Sequence, residues 1–179
     1  ASLLDLGDRS GKASELLGDA RGRGLLNDRQ GRVWWGRREN LSYADPARGR
    51  TQVVADARTW GKANGWPEDP PNLDANCFLE EGDSVWVGMA CGIGLVVDGT
   101  LSLPYPMTNA HWSSLPITLC RSAEGELWYA SCGGLARLEP DGRVRPDTGF
   151  AGRCPRAMAR VGDRLFIGTY GDGAFIRYK

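Results

Sequence analysis

One segment occurs four times in this chain, and that repetition limits the possible folds more than any other feature. GRVWWGRRENLSYADP from Gly31, GDSVWVGMACGIGLVVDG from Gly82, GELWYASCGGLARLEPDG from Gly125 and GDRLFIGTYGDGAFIRYK from Gly162 align on one plan. Each opens on a glycine-containing turn, runs through a short apolar stretch around an aromatic residue, passes a turn of small residues and resumes as a second apolar stretch. The aromatic anchors are Trp34, Trp86, Trp128 and Phe166, at intervals of 52, 42 and 38 residues. Propeller blades repeat every ~40–50 residues, whereas a helical solenoid would show a 3.6-residue period that is absent here.

Within a unit the strands follow from local chemistry. In the third, Ile117–Arg121 alternates as an inner strand, Leu127–Ala130 is the second, Leu135–Leu138 the third and Arg143–Arg145 the outermost, each joined to the next by a short turn. The second strand is apolar on both faces, as Val85, Trp86 and Val87 or Leu165, Phe166 and Ile167 illustrate, which suits a sheet sandwiched between two neighbours. The expected fold is all-β: a β-propeller of about four four-stranded blades, in units near residues 24–56, 75–107, 116–146 and 156–179. The last unit supplies only three strands, so either a segment of residues 1–18, where Leu3, Leu4, Leu6 and Ala13–Leu17 lie, completes the blade and closes the ring, or the chain is a piece of a longer propeller or half of an oligomer.

The consensus G-x-[LV]-[WF]-x-G followed by G-L resembles the two-component-regulator propeller repeat of bacterial sensor ectodomains, and more distantly the blades of streptogramin lyases. The resemblance spans about Gly24 to Lys179. It implies a propeller and a bacterial setting; for function it implies sensing or binding in general terms. Relatives carry more blades than the four or so expected here.

Composition narrows the partners. Twenty-two Lys and Arg balance 22 Asp and Glu, so there is no basic excess to draw the chain onto nucleic acid. No apolar run approaches the ~20 residues that span a bilayer, and the N-terminal stretch lacks a signal peptide's charged region and apolar core, so membrane insertion is not expected. The five cysteines, Cys77, Cys91, Cys120, Cys132 and Cys154, form no CxxC pair. Three states remain open for them: buried reduced thiols, disulfides between neighbouring blades, or a soft-metal thiolate site. Oxidised pairs would indicate an exported protein; the compartment stays open, with a periplasmic or extracellular location favoured.

The turns between second and third strands and the links between blades emerge on one face, where propellers usually meet ligands. The link Ala57–Asp74 is the longest irregular segment and carries Trp60 and Trp66; the link Met107–Leu115 carries His111 and Trp112. With Arg37, Arg38 and Tyr170 from the turns, these residues form the expected binding face, where aromatic rings stack on a saccharide or other planar ligand and guanidinium groups pair with a carboxylate. The bland reading of each Trp is that it pins its own loop. Asp69, Asp74, Glu80 and Glu81 read as ordinary solvated charges. His111 is the only histidine, which excludes a histidine-rich metal centre but leaves a lone catalytic base open. The resemblance to streptogramin lyases makes His111 the candidate for that role, although the metal-binding constellation those enzymes need has no counterpart here; no cofactor and no metal are expected. The leading reading is a non-enzymatic ligand-recognition propeller of the sensor or receptor kind, with a small molecule, saccharide or protein as partner. A lyase-type enzyme using His111 and a protein-interaction scaffold are the alternatives.

Overall fold

The computed structural model of the chain describes residues 24–66, 70–107 and 115–178. Four antiparallel sheets follow one another, each a simple meander in which sequence neighbours pair. The first holds β1 (Leu26–Asn27), β2 (Val33–Arg37), β3 (Asn40–Asp45) and β4 (Arg50–Asp56); the second β5 (Ala75–Glu81), β6 (Ser84–Met89), β7 (Gly92–Val97) and β8 (Thr100–Pro106). The third holds β9 (Thr118–Arg121), β10 (Leu127–Ser131), β11 (Gly134–Leu138) and β12 (Val144–Pro146), and the fourth β13 (Pro155–Val161), β14 (Arg164–Thr169) and β15 (Ala174–Arg177). The inner strands meet in the order β1, β5, β9, β13. This is the radial stack of a β-propeller, and the fourth blade has the three strands expected from sequence.

The anchor residues set the packing. Trp34, with Leu41 and Tyr43, meets Val85, Val87 and Met89 of the second blade. Trp86 and Ile93 meet Leu127, Tyr129 and Leu138 of the third, and Trp128 and Leu135 meet Leu165 and Ile167 of the fourth. Each junction is therefore a miniature core between two sheet faces, with the anchor pointing at the following blade. Trp34 and Trp128 are almost fully enclosed, at 1% and 3% exposure. Trp86 and Phe166, on strands whose apolar faces suit a sheet sandwiched between neighbours, are only half-buried. Phe166 shares its sheet face with Ala159 and Ile176, its register partners, and that face is largely open to solvent: Ile176 is 42% exposed, and Val161 further along is 64% exposed.

A second correction concerns the link from Ala57 to Asp74. It is not wholly irregular, for Ala57–Ala63 forms a helix, α1. Asp56 supplies the N-cap, its carboxylate accepting from the Thr59 backbone N–H at 3.0 Å, which is worth ~1 kcal/mol at such a position. Further along the chain, glycine is required where β7 and β11 begin, because backbone passes closely there, the end of β8 at Gly92 and the link after β12 at Gly134. A Cβ on Gly92 would overlap the Tyr105 carbonyl oxygen and one on Gly134 would sit 3.0 Å from that of Phe150, and both residues have positive φ.

The junctions also share a polar device that no sequence spacing reveals. The indole N–H of Trp34 donates to Asp28 at 2.7 Å, that of Trp86 to Glu81 at 2.8 Å and that of Trp128 to Glu126 at 3.1 Å. Each carboxylate also takes an arginine: Arg32 at Asp28, Arg121 at Glu81 and Arg137 at Glu126. Arg32 lies over the rings of Trp34 and Tyr43, and Arg121 over that of Trp86, adding cation–π attraction. Glu81 and Glu80 are thus not ordinary solvated charges. Glu81 joins blade two to Arg121 of blade three, and Glu80 accepts from the backbone N–H and the guanidinium of Arg29. A hydrogen-bonded ion pair satisfies the charges that turn packing would otherwise strand. Phe166, lacking a side-chain N–H, needs no such partner.

Candidate functional site

A meander that begins at the axis places the turns after β2, β6, β10 and β14 at one end of the molecule, beside the inter-blade links. Backbone hydrogen bonds tether these turns to the links. Ala90 N–H donates to Asp74 O at 3.0 Å and Cys91 N–H to Asn72 O at 3.1 Å; in the last blade Tyr170 N–H donates to Cys154 O at 2.8 Å. In the first blade the sense is reversed, with Leu73 N–H donating to Arg38 O at 3.2 Å. The link face is therefore a set of short loops lashed to one another, which can hold side chains in fixed positions.

Of the residues expected there, His111 and Trp112 lie outside the described residues. Trp60 sits on α1 with its indole N–H donating to the Leu101 carbonyl at 2.9 Å, and its ring packs on the core between the first two blades. That arrangement pins the helix to the second blade. Trp66, half-buried, follows the helix, where its backbone N–H caps the Gly61 carbonyl at 2.9 Å. Arg37 ends β2 half-buried, and Arg38 in the next turn is exposed. Tyr170 is the most exposed large apolar side chain among the described residues, at 77%, and its ring lies 5.7 Å from the Arg156 guanidinium. The backbone behind it is firmly held: both the N–H and the hydroxyl of Thr169 donate to the Gly173 carbonyl, at 2.9 and 2.8 Å.

Tyr170 gains further support from a disulfide between Cys132 and Cys154. It ties the turn after β10 to the residue that accepts from Tyr170, so the turns of the third and fourth blades are linked in series. Cys77, Cys91 and Cys120 are reduced. Burial pushes the Cys77 and Cys91 thiols up to about 12 and raises that of Cys120, so all three stay protonated and inert. Two of the expected cysteine states thus coexist. Cys91 and Cys132 occupy matching turns, but only Cys132 meets a cysteine on the link that crosses it. Arg156 ends the link that starts at Asp147, on the same face as the Tyr170 turn, but nothing in the sequence beyond the alternation of β13 sets its guanidinium beside the Tyr170 ring.

Two clefts open at the opposite end. One of about 260 Å³ lies between the third and fourth blades, bounded by Ser122, Glu124, Trp128, Asp163 and Arg177. The other, about 320 Å³, lies between the first and second, bounded by Gln30, Arg32, Tyr43, Gln52, Asp83 and Asp98. Their rings are already covered: Arg177 stacks on Trp128 at 4.5 Å, and Arg32 on Trp34 and Tyr43. Among the described residues no group of three or more His, Cys, Asp or Glu side chains converges as a metal site. No helix among them is long and apolar enough to cross a membrane.

No family model matches the chain, and no curated protein matches it in sequence. Solved structures do. The extracellular domain of a protein described as a hybrid two-component system from B. thetaiotaomicron superposes with a TM-score of 0.66 at 14% identity, over 88% of this chain and 21% of that one. Virginiamycin B lyase from Staphylococcus aureus gives 0.61 at 19% identity, over 90% and 56%. The computationally designed Ika4 protein gives 0.63 at 15%, over 91% and 94%. At these identities the likeness is one of fold, and it agrees with the propeller read from the repeats. The chain spans about a fifth of the sensor ectodomain and little more than half of the lyase.

Proposed function

We propose that the chain is a recognition module of the sensor or receptor kind, binding its ligand on the link face without chemical turnover. The observation that carries this reading is the exposed Tyr170 ring beside Arg156, held on a turn that is tethered by backbone hydrogen bonds and a disulfide. An aromatic face with a guanidinium next to it suits a planar or saccharide ligand that bears a carboxylate. Rigid presentation of such a pair lowers the ordering cost of binding. Arg37, Arg38, Trp66, His111 and Trp112 complete the proposed ligand-facing set, and Trp60 pins the helix that leads to Trp66. The likeness to extracellular sensor domains supports the same role, and the disulfide supports a periplasmic or extracellular setting.

A panel of soluble acidic oligosaccharides and aromatic carboxylates, followed by tryptophan fluorescence and calorimetry, tests the proposal. Tyr170→Ala should weaken any panel member that binds by about 1–3 kcal/mol, the usual range for a stacking contact. Binding that is indifferent to both Tyr170→Ala and Arg156→Ala would refute it. The likeness to a lyase keeps one rival in view, an enzyme using His111. His111→Ala separates the two, since an enzyme would lose turnover by orders of magnitude while a binder retains most of its affinity.

A further inference from the structure

We propose that the Cys132–Cys154 disulfide is a reducible staple that governs how the Tyr170 turn is presented, so that the link face responds to the thiol–disulfide state of its surroundings. The inference rests on the recognition reading only for its consequence; the coupling itself is structural. Cys132 occupies the exposed turn between β10 and β11, and Cys154 is half-buried immediately before β13. Cys77, Cys91 and Cys120 lie in the sheets or at the second blade's turn with their thiols desolvated, so exchange chemistry is confined to the one pair that solvent reaches.

The consequence for Tyr170 comes from comparing two equivalent tethers. In the second blade, the turn Ala90–Cys91 is held by three backbone hydrogen bonds: Ala90 N–H to Asp74 O, Cys91 N–H to Asn72 O and Met107 N–H to Cys91 O. In the last blade, the corresponding bond from Tyr170 N–H ends on Cys154, which the disulfide fixes to the neighbouring turn. The rest of that link has its own anchors. Phe150 is buried edge-to-face on Phe175, Asp147 caps a short turn and pairs with Arg177, and Asp147 N–H donates to Leu135 O. Arg153 N–H to Phe150 O and buried Pro155 in register with Thr169 hold the chain on either side of Cys154, so opening the disulfide loosens only the Cys154–Tyr170 tether while the blades stay packed. The chemistry is ordinary exchange. A thiolate of a dithiol reductant attacks one cysteine sulfur and expels the other as a thiolate; its second thiol then attacks the reductant's own sulfur in the mixed disulfide and expels the first cysteine, so two electrons and two protons pass to the cysteines as the dithiol closes to its own disulfide.

Amide hydrogen exchange of the intact chain, with and without excess dithiothreitol, provides the test. Reduction should lower the protection of the Tyr170 amide at least ~10-fold while that of the Ala90 amide, its counterpart in the second blade, is unchanged. Alkylation of the native chain should then label two further cysteines and leave the buried three slow. The Cys132→Ser/Cys154→Ser double variant should match the reduced protein and ignore dithiothreitol. Equal protection of Tyr170 in both states, or an equal loss at Ala90, would overturn the proposal. Because no ligand enters this experiment, failure here is distinct from failure of Tyr170→Ala to affect binding.

Discussion

Replacing Asp28 with Ala tests the polar device at the blade junctions where its effect should be largest. Four donors converge on this carboxylate: the backbone N–H groups of Gln30 and Arg32, both at 2.9 Å, Arg32 Nε at 2.6 Å and Trp34 Nε1 at 2.7 Å. Its side chain is fully enclosed, at 0% exposure. The two turn amides and the arginine lie near the surface and can recover water, so their loss is modest. The indole N–H cannot, because Trp34 is 1% exposed, and a buried donor left unsatisfied costs about 1–3 kcal/mol. Adding the lost charge-assisted bond to Arg32 brings the expected loss to about 3 kcal/mol. Glu81→Ala and Glu126→Ala should cost less, since those carboxylates are 28% and 30% exposed and water can take the place of the deleted group beside the indole N–H. Urea unfolding with an unchanged m-value is the assay. A loss below about 1 kcal/mol for Asp28→Ala, or one no larger than that for Glu126→Ala, would refute the reasoning.

The same carboxylates set the acid limit of the fold. Burial raises the Asp28 carboxyl, but hydrogen bonds from Trp34 and Arg32 outweigh it, and the Arg121 guanidinium holds Glu81 low; both stay below the ordinary range. Their contribution is complete above about pH 4–5 and is lost as pH falls through the depressed values, so the urea midpoint should drop below about pH 4 and drop less in Asp28→Asn/Glu81→Gln. Cys132→Ser opens a loop with a sequence separation of 22 and should cost about 3 kcal/mol on the loop-entropy view, read from the same urea curves. For the last blade we propose that a segment of residues 1–18, which lie outside the described residues, pairs with the outer edge of β15. Their deletion should then cause aggregation or a large fall in Tm, and a truncated chain that stays monomeric with an unchanged Tm would count against the pairing.

Much of this fold could be read from local patterns. The turn, apolar stretch, turn and apolar stretch of each unit are set by neighbours in sequence, and the strands expected at Leu127–Ala130 and Leu135–Leu138 agree with the structure to within a residue. What escaped depends on contacts between units. Asp28, Glu81 and Glu126 precede their tryptophans by different numbers of residues, so no motif marks them, yet all three reach the same place at a blade junction. The helix at Ala57–Ala63 was hidden because its stability comes from the Asp56 cap and from Trp60 docking on Leu101, a residue 41 positions away. The link face was legible as a location, while the pairing of Arg156 with Tyr170 and of Cys132 with Cys154 required the third dimension.

The central claim, that recognition takes place on the link face, can be tested most directly by an amide NMR screen of the intact chain against a chemically diverse fragment library. The account predicts shift changes concentrated at Tyr170, Arg156, Arg38 and Trp66, lost at the first of these sites in Tyr170→Ala. Shifts concentrated instead around Trp128, Asp163 and Arg177, or around Gln52 and Asp98, would place binding in the opposite-end clefts and contradict it.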